Sequence, residues 1–289
     1  MTTLDALHEA IDSLKAAGIE TAVTDAEWLL EHTVSLERHQ LYLQNRPLTD
    51  KEITDYMTSI KRRCNHEPVA YIIGSKIFLD WEFMVDTQVL IPRWETEVLV
   101  NEVCKHSCPG WGVGIEIGTG SGVIAISLAK ILPHIKIYAT DISAAALQTA
   151  WFNAQRLGVI DRIVLLQGDM FSILSGLELE GRVDFIVSNP PYILSHEMKS
   201  LPPDVRDFEP KIALDGGEDG LDYYRKIIPY AQDYLVPEGY LALEVGLGQA
   251  KSVEELMQEC SFETQIINDL CQRERVVLGR KVIKDVHCD

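Results

Sequence analysis

Over the first 75 positions the apolar residues recur at helical spacing. Leu4, Leu7, Ile11 and Leu14 mark one face of a first helix, and Gly18 supplies a stop. A second helix, capped by Thr24 or Asp25, carries Ala26, Leu29, Leu30 and Thr33. A third begins near Thr49 and carries Ile53, Tyr56, Met57 and Ile60, with Glu52 completing a capping box. The period then changes. Arg62-Arg63 and Glu67-Pro68 end the helical stretch, and the residues from Phe78 to Leu90 alternate. Ile77, Leu79, Trp81, Phe83 and Val85 share one parity, which predicts a hairpin between two domains. Leu90 to Glu97 opens a further helix, with Pro92, Thr96 and Glu97 as ordinary helix-start residues.

From about residue 111 short apolar runs alternate with helical patterns. Strands are expected at Val113 to Ile117, Ile135 to Ala139, Ile163 to Leu166, Val183 to Val187 and Tyr240 to Val245. Helices are expected at Val123 to Leu132, Ile142 to Leu157, Gly220 to Leu235 and Gln249 to Cys260. Phe262 to Ile267 and Arg275 to Gly279 complete the sheet as neighbours joined by a loop. This order predicts an α/β fold, a parallel sheet with helices on both faces, and no internal repeat.

Composition narrows the function classes. The chain has 289 residues and 46% hydrophobic content, enough for a sizeable core. No run approaches a membrane span, and no basic-then-apolar leader is visible, so a cytoplasmic protein without membrane contact is expected. Six cysteines show no paired C-x-x-C spacing. Cys104 and Cys108 flank His106, but one pair is short of a zinc site, so no metal is expected and the cysteines read as reduced thiols. The formal charge is −18, from 44 acidic and 26 basic residues. That field repels phosphate backbones and suits a small cationic cofactor and a protein partner.

The candidate chemistry lies at strand ends. Gly118, Thr119, Gly120, Ser121 and Gly122 follow the strand at 113–117 and allow close backbone approach to a ligand. Asp141 ends the next strand, placed to accept hydrogen bonds from ribose hydroxyls. The G-x-G-x-G spacing differs from the dinucleotide fingerprint and fits S-adenosyl-L-methionine better. Asp169 is placed to accept from the adenine amino group, with Met170 against the ring; alternatively Asp169 caps the following segment. Glu116, an acid inside an apolar strand, needs a partner and is a candidate to orient the loop or the cofactor's ammonium. Arg93 and Glu95 are accessory candidates that touch or close over the cofactor.

After the strand at 183–187 comes Ser188-Asn189-Pro190-Pro191-Tyr192-Ile193. Two prolines end the ladder and hold the chain extended. Asn189, beside the cofactor, offers an acceptor at the same point as the Pro190 carbonyl. Together they suit a planar NH2 group, with Pro191 and the Tyr192 ring against a flat substrate. The bland alternative is a proline-rich surface turn.

These motifs look like a Rossmann-like S-adenosylmethionine-dependent methyltransferase. Further runs extend the match: Glu67-Pro68 with Tyr71 to Gly74, Leu90 to Arg93 with Glu95-Thr96-Glu97, Phe208-Glu209-Pro210, Gly217 with Asp219-Gly220-Leu221, and Leu243 to Gly246 with Gln249. Nearly the whole chain resembles the peptide chain release factor N5-glutamine methyltransferase family (HemK/PrmC). Trp94, Glu116 and Met170 depart from the family's usual proline, aspartate and aromatic residue. The resemblance implies a seven-stranded class I methyltransferase sheet over 93–289, a small N-terminal helical domain over 1–75 and a linking β-hairpin over 76–92. It implies a monomer that methylates the Gly-Gly-Gln glutamine of class I release factors in translation termination, releasing S-adenosyl-L-homocysteine. The N-terminal helices then serve docking or act as a structural cap. Two alternatives share the Asn-Pro-Pro-Tyr turn: a glutamine methyltransferase of a ribosomal protein, and an N-methyltransferase of adenine or guanine in nucleic acid, which would hold a flipped base. The charge disfavours the last.

Overall fold

The computed structural model describes residues 1–282; positions 283–289, within the domain expected over 93–289, lie outside the described residues. The chain divides into two compact units, residues 1–75 with 201–208, and residues 76–200 with the chain from 209 onward.

The first unit is helical: α1 (Thr3–Ala16), α2 (Ala22–Val34), α3 (Arg38–Gln44), α4 (Asp50–Cys64) and α5 (Val69–Ile73). Thr2 and Thr49 each close a capping box, with Asp5 and Glu52 respectively. Leu7, Leu14, Leu29, Leu30, Tyr56 and Ile60 form its core. The second helix begins earlier than expected. Asp25 lies inside its first turn, where Thr21 donates to it at 2.8 Å and Arg63 at 2.7 Å. Asp25 therefore anchors a buried ion pair instead of capping. Two helices are additional. Leu41 is the only buried residue of α3, so its periodic signal is weak. The five residues of α5 are mostly apolar and read equally well as a strand.

Strands β1 (Ser75–Phe78) and β2 (Trp81–Met84) form the hairpin. Its parity corrects the sequence pattern. Leu79 takes φ 50° at the turn, so alternation restarts there. Phe78 and Phe83 are buried and meet edge to face at 6.1 Å, whereas Ile77 is exposed.

Then follow α6 (Glu95–His106), β3 (Val113–Ile117), α7 (Val123–Ile131), β4 (Lys136–Asp141), α8 (Ala144–Arg156), β5 (Ile163–Gln167) and β6 (Val183–Ser188). Between β6 and the next long helix the chain carries α9 (Pro203–Phe208). The chain continues with α10 (Asp222–Tyr234), β7 (Leu235–Glu244), α11 (Ala250–Glu259), β8 (Phe262–Asn268) and β9 (Glu274–Lys281). The expected seven strands form one sheet in the order β5-β4-β3-β6-β7-β9-β8. The first five are parallel, and β9 runs antiparallel to both β7 and β8.

Both faces of the sheet are covered, which is why its strands are nearly continuously apolar. On one face Phe185 and Val187 pack with Leu99, Val103 and α7, which is buried from Val123 to Ala129. On the other Ile115, Ile117 and Ile186 pack with Ile227, Ile228 and Val253. Each such side chain contributes roughly 1.5–3 kcal/mol by leaving water. Gly114 makes room for Phe185: a Cβ there would lie 2.2 Å from the ring. Strand order reverses beside β3, since β4 lies on one side and β6 on the other. Open α/β sheets bind ligands at such a reversal, outside the carboxyl ends of the strands.

Candidate active site at the β3–β6 switch point

Ile117 and Ser188 are register partners at the ends of β3 and β6, and the Ser188 hydroxyl donates to the Ile117 carbonyl at 2.7 Å. The glycine loop and the Asn-Pro-Pro-Tyr turn therefore leave the sheet side by side. Between them opens a cavity with about 1100 Å³ of empty space, mouth included. Its walls include the whole loop from Gly118 to Ser121, together with Arg93, Thr96, Glu116, Asp141, Asp169, Met170, Asn189, Pro190 and Pro191.

The loop turns on positive-φ backbone at Gly118, Gly120 and Gly122. Gly122 begins α7, and a Cβ there would press on Ile126 and on Ala150 at 3.1 Å. Gly118 and Gly120 face open space. The Gly118 and Thr119 amides donate to the Thr140 carbonyl, both at 2.9 Å. Asp141 accepts from the Gly120 amide at 2.8 Å and from the Ser143 amide at 2.9 Å. It braces the loop and still offers acceptor capacity to the cavity.

Glu116 is fully buried beneath the loop. Its Oε2 accepts from the Thr119 hydroxyl at 2.6 Å and the Ala125 amide at 3.0 Å, while Oε1 has no partner. Burial pushes its pKa up to about 8, against the two hydrogen bonds that lower it. Asp169 is exposed at the rim; its backbone carbonyl, and not its side chain, accepts from Ser172. Met170 adopts φ 46°, turning the chain at the wall.

Asn189 is half-buried and its Nδ2 donates to the Thr96 hydroxyl at 3.1 Å. Among the described residues neither Asn189 Oδ1 nor the Pro190 carbonyl accepts a hydrogen bond. Two acceptors thus stand unengaged at the cavity wall. Beyond the prolines the chain is held extended: the Ile193 amide donates to the Leu214 carbonyl at 2.9 Å, and the Gly216 amide to the Ile193 carbonyl at 2.8 Å. Gln249 donates to the Tyr192 carbonyl at 2.9 Å and accepts from the Gly246 amide at 3.0 Å.

Not every candidate reaches the cavity. Tyr192 and Glu95 are not among its walls. The Tyr192 ring packs against the core on the α10–α11 face, where burial pushes its phenol up. Glu95 lies 3.7 Å from the buried Arg275. Arg93 lines the cavity and pairs with the buried carboxyl of Glu209. Thr96 and Gln249 bond to the turn, Glu209 holds Arg93, and Glu244 is buried at the end of β7; none of the four was a site candidate in the sequence. The usable signal was Glu244, an acid in an apolar strand as Glu116 is. Among the described residues no group of three His, Cys, Asp or Glu side chains can hold a metal. No described helix is long and apolar enough to cross a membrane.

Comparison with known proteins agrees with this geometry. A family model for the PrmC N-terminal domain matches residues 5–74, and one for the methyltransferase small domain matches 95–201. A release factor glutamine methyltransferase of Geobacter sulfurreducens is 40% identical, over 92% of this chain and 92% of the relative. One of Moorella thermoacetica is 42% identical, over 96% and 98% respectively. A crystallised methyltransferase of Pyrococcus furiosus shares the fold at TM-score 0.51 and 20% identity, covering 70% of this chain and 89% of that one. The hMettl16 catalytic domain does so at 0.55 and 16%, covering 84% and 87%. With a seven-stranded methyltransferase sheet and near-full-length relatives of this similarity, the chain belongs to the release factor glutamine methyltransferase family.

Proposed function

We propose that this protein transfers a methyl group from S-adenosyl-L-methionine to the side-chain amide nitrogen (N5) of a glutamine, the one in the Gly-Gly-Gln motif of class I peptide chain release factors in the cytoplasm. The observation that carries the reading is the pair of unengaged acceptors, Asn189 Oδ1 and the Pro190 carbonyl, at the wall of a cavity floored by the glycine loop. The relatives' names supply the acceptor class.

The residues fit the cofactor. Gly118 and Gly120 leave space where side chains would stand, Asp141 keeps acceptor capacity for ribose hydroxyls, and the orphaned Oε1 of Glu116 suits an ammonium group. Asp169 and Met170, which line the same cavity, would hold the adenine. When bound, the cofactor supplies an electrophilic sulfonium methyl group.

An amide nitrogen is a weak nucleophile because its lone pair is delocalised into the carbonyl. The task of the site is therefore position and electrostatics. Asn189 Oδ1 and the Pro190 carbonyl accept the two amide hydrogens, which raises electron density on nitrogen and fixes which face it presents. Pro190 and Pro191 keep that carbonyl out of any ladder. The surplus proton leaves to water. Labelled S-adenosyl-L-methionine offered with a release factor, ribosomal proteins and a DNA duplex in separate reactions tests the acceptor. Label in the release factor supports the reading; label only in ribosomal protein or in DNA overturns it in favour of the respective alternative.

A further inference from the structure

Asn189 can serve as an acceptor only if its oxygen faces the cavity. Its two ends have opposite chemistry, and the terminal torsion of an asparagine is broad and nearly two-fold. Turned over, the side chain would present its NH2 to a substrate NH2, and two donors would meet. Something must hold the oxygen outward. The Nδ2 contact to Thr96 Oγ1 is the visible restraint. A threonine hydroxyl alone does not discriminate, because it both donates and accepts.

The discrimination lies one step further in. Glu244, at the end of β7, is buried, and neither of its carboxyl oxygens has a hydrogen-bond partner. Buried polar atoms in that condition call for an explanation. Burial raises the Glu244 pKa, and the buried Thr96 hydroxyl is near enough to oppose that rise without meeting hydrogen-bond geometry as the structure stands. A carboxylate only accepts. The single Thr96 hydrogen is therefore drawn toward Glu244, and the hydroxyl's lone pairs are left for Asn189.

We propose that Thr96 is a positioning residue, polarised by the Glu244 carboxylate so that it accepts from Asn189 Nδ2 and thereby turns Asn189 Oδ1 toward the substrate amide. This rests on the reading of Asn189 as the group that accepts a substrate amide hydrogen. Burial pushes the Glu244 pKa up to about 7 and Glu95 adds to the rise, while Thr96, Arg275 and Arg93 oppose it, so the carboxylate form on which the relay depends is the one held at and above neutral pH. Arg275 is itself buried and fixed by Asp269 at 3.3 Å and Glu95 at 3.7 Å. The Tyr224 hydroxyl donates to the Glu244 backbone carbonyl at 2.8 Å, which pins the end of the strand.

The test uses the full-length protein with a purified release factor as acceptor. Thr96→Val keeps the shape and removes the hydroxyl; Thr96→Ser keeps the hydroxyl. Glu244→Leu removes the carboxylate. Calorimetric binding of S-adenosyl-L-methionine reports, for each variant, that the fold and cofactor pocket persist. The expected result is a kcat loss of roughly tenfold or more for Thr96→Val, the equivalent of one hydrogen bond, with cofactor affinity and KM for the release factor little changed. Thr96→Ser restores kcat to within about threefold of the parent. Glu244→Leu loses a similar factor, and the double variant loses no more than the worse single one, because the groups act in series. Independent, multiplying losses would overturn the relay, as would a Thr96→Val variant with parental kcat. Asn189→Ala separates the two levels. If it keeps turnover, the reading of Asn189 itself falls; if it loses turnover while Thr96→Val does not, only the relay falls.

Discussion

Asn189→Ala is the perturbation that most directly probes how the site works. In the resting protein the side chain makes one hydrogen bond, to Thr96 at 3.1 Å, from a half-buried position. Its removal costs about 1 kcal/mol of folding stability. The effect on chemistry is larger. Asn189 Oδ1 is one of two acceptors that hold the amide nitrogen, and the Pro190 carbonyl remains in the variant. Loss of one preorganised group at a reacting centre costs about 10²–10³ in kcat, roughly 3–4 kcal/mol of transition-state stabilisation. Cofactor affinity falls by less than about tenfold, since at most one neutral hydrogen bond is at stake. Single-turnover transfer of labelled methyl groups gives the rate, calorimetry the affinity, and a thermal melt confirms the fold. Parallel loss of turnover and cofactor affinity by the same factor would refute the positioning role and make Asn189 a cofactor ligand.

Other substitutions probe the supports of the site. Glu116 has its folded pKa raised to about 8 from 4.5, so the native state holds a proton that the unfolded chain has released; stability is therefore lost as pH rises from about 4.5 through 8. Glu116→Gln removes this loss, and its melting temperature relative to the parent should rise as pH climbs from about 4.5 to about 8 and level off above that, in ligand-free protein. A difference flat with pH would mean that the carboxyl is not buried as described. Gly216→Ala would bring a Cβ to 2.6 Å from the Tyr192 Cα and 2.8 Å from the Pro191 carbonyl oxygen. Both are backbone atoms, so the turn must shift. Turnover should drop well before cofactor binding does, with about 1–3 kcal/mol of destabilisation in a urea melt. Arg93→Ala leaves the buried Glu209 carboxyl without its guanidinium partner, and because Arg93 is itself partly exposed the cost should be roughly 1–3 kcal/mol, partly recovered by Arg93→Lys.

The sheet was legible because its strands are buried on both faces and therefore continuously apolar, as at Val183 to Val187. The cofactor loop was legible because it demands glycine at positive φ. Other features depend on tertiary context. Arg38–Gln44 buries one residue, too few for a period to show. The first strand of the hairpin inverts the expected parity because a single left-handed residue, Leu79, resets the alternation, whereas Phe83 and Val85 keep it. Tyr192 reads as a substrate-facing ring beside Asn-Pro-Pro, yet the extended pairing of Ile193 with 214–216 accompanies a ring packed into the core. Thr96 looked like an ordinary helix start. Only the fold brings the first turn of α6, the end of β7 and the turn after β6 together, so the Glu244–Thr96–Asn189 arrangement has no local signature.

The central claim is that Asn189 and Pro190 present a glutamine side chain for methylation. The most direct measurement is mass analysis of a release factor after incubation with the enzyme and S-adenosyl-L-methionine, beside a release factor whose Gly-Gly-Gln glutamine is replaced by alanine. The account predicts one added methyl group on the Gly-Gly-Gln peptide of the first and none on the second. Methylation of both proteins, or of a residue outside that motif, would contradict it.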